Sequence, residues 1–138
     1  MAGWLFQEYC CSNNFMAELW GLRGGLNLCN EMQLSVVDVQ LDAKAVVQLL
    51  SNSSSANIYA LPLLDDCRQL ISQIGHVRIR HCFREANTCA DFLAWLGSHQ
   101  DSTFVLFHDS PVGLLDLLSS DRAGMYHSRY AFDLPCSP

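Results

Sequence analysis

Between Arg80 and Gly97 the chain changes its hydrophobic period, and its polar residues gather at the change. Upstream, His76 to Phe83 alternates, with Val77, Ile79, His81 and Phe83 on one side and His76, Arg78, Arg80 and Cys82 on the other. That pattern predicts a half-buried strand. Downstream, Ala86, Cys89, Ala90, Leu93 and Leu96 recur at helical spacing, Glu85 and Asn87 stand as caps, and Gly97 marks a stop. A strand that passes through a short loop into a helix leaves the loop and the first helical turn at a sheet's carboxyl edge, where α/β folds build their sites. His81, Asn87 and Asp91 fall there. The same residues also fit a basic edge strand followed by a capped amphipathic helix with no chemistry.

With 138 residues, 50% of them hydrophobic and 16% charged, the chain has the material for one globular domain with a real core. A net charge of −6 argues against a surface that coats nucleic acid all over, since phosphate binding rests on clustered cations. A local basic patch remains open: there is one lysine, Lys44, and three of the seven arginines are Arg78, Arg80 and Arg84. The seven cysteines include no C-x-x-C pair, so neither a disulfide framework nor a zinc site is indicated, and free thiols in a reducing compartment are expected. The start of the chain has neither the basic nor the apolar region of a secretion signal, and no apolar run reaches membrane-spanning length. The expectation is an intracellular protein, nuclear or cytoplasmic, without a membrane or a deducible protein partner.

Taken in order, Trp4 to Cys11 is aromatic-rich and fits one strand. Leu19, Leu22, Leu26 and Cys29 form a helical stripe from Phe15 to about Glu31, capped by Ser12, Asn13 or Asn14 and weakened by Gly21, Gly24 and Gly25. Glu18 then falls in a first turn, where a carboxylate also simply favours the helix dipole. Leu34 to Leu41 alternates as a strand, and Asp42 follows at its end, where it also serves as a cap for a helix over Ala43 to Leu50. Ser51 to Asn57 is a Ser/Asn-rich loop. Leu61 to Ile74 is a helix with Pro62 in its first turn, and its Asp65–Asp66 pair reads as a solvated face. Thr103 to Phe107 makes a short strand and Pro111 to Leu118 a short helix, so the domain is expected to span residues 1–118 and a flexible tail 119–138.

Three of these stretches carry a resemblance. The segment His81-x-x-Arg84-Glu85-x-Asn87-x-x-Ala90-Asp91-x-Leu93-Ala94 resembles the last catalytic segment of type-1 ribonuclease H. It is closer still to the plant ribonuclease H-like domains related to reverse transcriptases of non-LTR retroelements. Phe15-Met16-Ala17-Glu18-Leu19-Trp20-Gly21-Leu22-Arg23 resembles that family's second motif, and Val39-Gln40-Leu41-Asp42-Ala43-Lys44 its third. The resemblance runs from about Phe15 to Leu118. It implies an α/β fold, a ribonuclease H-like mixed sheet flanked by helices.

The resemblance further implies that Glu18, Asp42 and Asp91 are catalytic metal ligands for Mg²⁺ or Mn²⁺, hard cations suited to carboxylate oxygens. It makes His81 an aid to proton transfer or product release, and the partner an RNA–DNA hybrid cleaved by two-metal phosphodiester hydrolysis. Arg78, Arg80, Arg84, Asn87 and Lys44 are the candidate nucleic-acid contacts. One departure matters. The family opens with a hairpin whose first strand carries a metal-bridging Asp, whereas here Glu8 is the single acidic residue ahead of the first helix. A fold missing that hairpin and an impaired activity are therefore expected, with a non-catalytic nucleic-acid-binding module or an inactive structural remnant as alternatives.

Overall fold

Among the described residues two short strand pairs organise the chain. A computed structural model describes residues 4–7, 14–51 and 58–125. In order these form β1 (Trp4–Gln7), α1 (Asn14–Glu31), β2 (Val36–Leu41), α2 (Lys44–Ser51), α3 (Leu61–Ile74), β3 (His76–His81), α4 (Thr88–Ser98), β4 (Phe104–Phe107) and α5 (Leu114–Arg122), with a 3-10 turn at Arg84–Ala86. β2 and β3 pair in parallel, from Val36 opposite His76 to Leu41 opposite His81. β1 and β4 pair antiparallel, Trp4 opposite Phe107 and Gln7 opposite Phe104. Parallel neighbours need a crossover, which α2 and α3 supply. The architecture is α/β, a small mixed sheet system flanked by helices.

The inner face of β2 and β3 sets the core. Val37, Val39, Val77 and Ile79 alternate inward and pack against a fully buried cluster that includes Leu19 and Leu26 of α1, Val46 of α2, and Leu64 and Cys67 of α3. Leu19, Leu22 and Leu26 recur every three or four residues, the spacing that puts them on one helical stripe. Burial pushes the Cys67 thiol up to about 11, so it packs as an inert small apolar group. Leu114, also fully buried, lies outside this cluster, at the start of α5, the helix that packs on α4. β1 touches both α1 and α4, and α1, which also packs in the β2–β3 core, joins the halves.

Several boundaries moved from their sequence-based positions, each for a local reason. α1 starts at Asn14, which puts Glu18 in the second turn rather than the first, and removes the dipole explanation for that carboxylate. After α1 the chain reverses through Gln33, which takes a left-handed φ of 56° while the Leu34 N–H donates to the Cys29 carbonyl at 3.0 Å. β3 ends at His81, and the 3-10 turn intervenes before α4, leaving Asn87 as its N-cap residue, without a side-chain capping bond. α5 begins at Leu114 rather than Pro111 because Gly113 holds a left-handed φ of 92°, with Phe92 against it. The helix then continues to Arg122, past residue 118 where the tail was expected to begin. Residues 8–13, 52–57 and 126–138 of the expected strand, loop and tail lie outside the described residues.

Candidate active site

The site sits at the carboxyl ends of the parallel pair. Asp42 directly follows β2, and Cys82 directly follows β3, its N–H donating to the Leu41 carbonyl at 2.9 Å. Because Leu41 and His81 are partners in the register, Asp42 and the His81–Cys82 step share one end of the sheet. α1 brings Glu18 to this end, and the first turn of α4 brings Asp91. A cavity of about 670 Å³ opens beside them, between α1, α4 and the edge of β2, with Glu18, Asn87 and Asp91 in its lining.

Electrostatics ties the three carboxylates together. Glu18 is raised from 4.5 to about 7, first by burial, then by the Asp42 charge, a hydrogen bond between the two side chains, and the Asp91 charge. Arg84 opposes the shift, and it also holds down Asp91, which burial and the Asp42 charge push upward. Arg84 is thus the cation of the site. With all three carboxylates ionised, three negative charges against the one positive charge of Arg84 leave the equivalent of two, a deficit that a single divalent ion neutralises. The oxygen donor set suits Mg²⁺ or Mn²⁺. Among the described residues, however, no three His, Cys, Asp or Glu side chains stand close enough to hold an ion as placed.

The remaining candidates divide. His81 is exposed, and its ring meets that of Phe83 edge-on at 5.5 Å. Lys44 is exposed at the start of α2, two residues past Asp42. Arg78 and Arg80 lie on the outer face of the sheet, both bound to Asp38: Arg78 Nη2 to Oδ2 at 2.8 Å, Arg80 Nε to Oδ1 at 3.1 Å and Nη2 to Oδ2 at 2.6 Å. Asp65 and Asp66 pair with Arg68 and Arg23 on the surface, as a solvated face would. Two neighbours of the site escape sequence reasoning. Cys82 feels Asp42, Glu18 and Asp121, and Cys89 feels Asp121, so α5 brings a fourth acidic residue near the rim. Only the packing of α5 on α4 reveals that placement.

A small sheet with a parallel strand pair, flanked by helices, is the arrangement of a ribonuclease H-like fold. The family described as reverse transcriptase-like matches residues 4–97, more than half of the chain, and the chain belongs to that family. A protein of Arabidopsis thaliana that carries the name of a ribonuclease H protein is 31% identical over 113 residues, which are 82% of this chain and 18% of that relative. The match therefore spans less than a fifth of the relative's length. No solved structure matches. No helix among the described residues is long and apolar enough to cross a membrane.

Proposed function

We propose that this chain is a ribonuclease H-like domain of retroelement descent whose carboxylate pocket binds a divalent cation and addresses RNA–DNA hybrid, with weak or absent hydrolysis by the chain as it stands. The observation that carries this reading is the placement of Glu18, Asp42 and Asp91, from three separate elements, at one end of the parallel pair, where burial and the two neighbouring charges lift Glu18 to about 7. Crowded carboxylates of this kind are costly unless a cation answers them. When bound, Mg²⁺ or Mn²⁺ supplies an activated water and a stabilised leaving oxygen.

The protein's own groups have distinct tasks in this reading. Glu18, Asp42 and Asp91 hold the ion, and Glu18 must first give up its proton. Arg84 draws a phosphate towards the rim as a planar guanidinium. Asn87 offers neutral hydrogen-bonding groups inside the cavity wall. His81, at the end of β3, is placed to exchange protons with solvent at the rim. Charge counting limits the chemistry: two divalent ions about 4 Å apart repel by about 16 kcal/mol at an effective dielectric of 20. Three carboxylates, one already offset by Arg84, fall short of that. A cleavage assay tests the reading: negligible cutting of hybrid with Mg²⁺ or Mn²⁺, and gain of cutting when an Asp-bearing hairpin is fused ahead of Trp4, is the expected pair of results. Robust turnover by the chain alone, abolished by Asp42→Asn, would overturn the impaired-activity half.

A second reading, a nucleic-acid-binding module without catalysis, rests on the exposed Arg84 and Lys44 that follow the carboxyl ends of β3 and β2. Salt-sensitive binding of hybrid that is indifferent to both Mg²⁺ and Asp42→Asn would select it.

A further inference from the structure

Phe83 stands 74% exposed at the rim of the carboxylate site. Exposed apolar side chains are ordinary when scattered, and Val112, at 97%, is one of those. Phe83 differs in its company and its fixation. It precedes the 3-10 turn in an extended conformation, φ −73° and ψ 150°, and its carbonyl accepts the Ala86 N–H at 2.9 Å. Its ring meets the exposed His81 ring at 5.5 Å with the planes 79° apart. In such an edge-to-face pair, the ring that supplies the edge keeps both faces open, and the other keeps one. The next residue is Arg84, whose charge reaches Glu18 and Asp91. An open aromatic face thus lies one residue from the cation of the pocket.

We propose that Phe83, steadied by His81, is a stacking platform for an unpaired nucleobase, so that the site takes hybrid at a junction with single strand in preference to uninterrupted duplex. This inference rests on the reading of the pocket as a nucleic-acid site. Every interior base of a duplex already has both faces covered by its neighbours, so a flat side chain meets a free base face only at an end or in a single-stranded segment. Base stacking on an aromatic ring is tolerant of sequence, and an adjacent arginine serves the phosphate that follows the stacked base. Two rings offer far less area than a stable protein interface needs, which argues for a small flat ligand.

Binding of non-cleavable hybrids, DNA paired with 2′-O-methyl RNA, tests the platform. One hybrid is blunt, and the other carries a short single-stranded overhang with 2-aminopurine at its first unpaired position. The full chain is expected to bind the overhang form about tenfold more tightly and to change the 2-aminopurine emission. Phe83→Ala should lose both the preference and the spectral change with blunt binding intact, and Phe83→Trp should keep both. Unchanged thermal melting of the variants guards against a folding artefact, since the ring is exposed. Equal binding of the two hybrids, or a preference that survives Phe83→Ala, would overturn the platform alone. Failure of the chain to bind either hybrid would overturn the nucleic-acid reading and the platform with it.

Discussion

Arg80 clasps Asp38 through two nitrogens, Nε at 3.1 Å from Oδ1 and Nη2 at 2.6 Å from Oδ2, while Arg78 donates to the same carboxylate. The two arginines hold Asp38 below the usual carboxylate range through those hydrogen bonds. The cluster is exposed on the sheet's outer face, so it contributes little to stability. Its effect is to occupy two of the few cations a nucleic-acid phosphate could use. Asp38→Asn should release both, strengthen hybrid binding at low salt, and steepen the dependence of log K on log salt by up to about two. Titrations at several salt concentrations check this, and an unchanged slope would mean that this face does not meet phosphate.

The raised Glu18 predicts a pH dependence of stability with a definite sign. Its folded value of about 7 exceeds the ordinary 4.5, so between these values the folded chain holds more proton than the unfolded one. Stability should therefore fall as pH rises from about 4.5 to about 7 and level off above. Because the carboxyl is only half-buried and screened by solvent, the loss is on the order of 1 kcal/mol, or a few degrees in melting temperature. Glu18→Gln should flatten the profile and raise the melting temperature at pH 7.5. A variant whose profile matches the parent would place the proton elsewhere.

The same proton competes with metal. Mg²⁺ affinity should rise with pH up to about 7 as Glu18 loses its proton, and calorimetry should count one ion per chain, in line with the charge balance set by Arg84. Arg84→Ala, which removes the opposing positive charge, should tighten Mg²⁺ binding several-fold. Weaker binding in that variant would show that Arg84 orders the carboxylates rather than neutralising them.

Gly25 lies in the interior of α1, and a Cβ built there meets nothing within 4 Å. Glycine in a helix interior costs about 1 kcal/mol relative to alanine. Gly25→Ala should therefore stabilise the chain by about that amount in a denaturant titration, with the slope of the transition unchanged. Leu64→Ala, by contrast, empties a fully buried position and should cost about 3 kcal/mol.

Much of this fold is legible from period alone. The alternation of Val37 and Val39, and of Val77 and Ile79, identified β2 and β3 because one face of each strand is buried and the other wet. α3 was readable to its ends because Pro62 opens it and Gly75, at a φ of 93°, closes it. Glu18 was misplaced by a turn because a boundary shift of one residue is enough to move it across. The clasp on Asp38 was out of reach for a different reason. It depends on strand register, which follows from tertiary packing rather than from either strand's own pattern. The approach of Asp121 to Cys82 and Cys89 is likewise a product of how α5 lies on α4.

The division of the sheet has a mechanical meaning. Among the described residues β2–β3 and β1–β4 are two separate pairs, α1 packs on both, and the cavity is the seam between α1, α4 and the edge of β2. Glu18 rides on α1, Asp91 on α4, and Asp42 follows β2, so the width of that seam sets how far apart the three carboxylates stand. A substitution that wedges this seam, even one several turns from any acidic residue, is expected to change how strongly the three carboxylates feel one another without altering any of them.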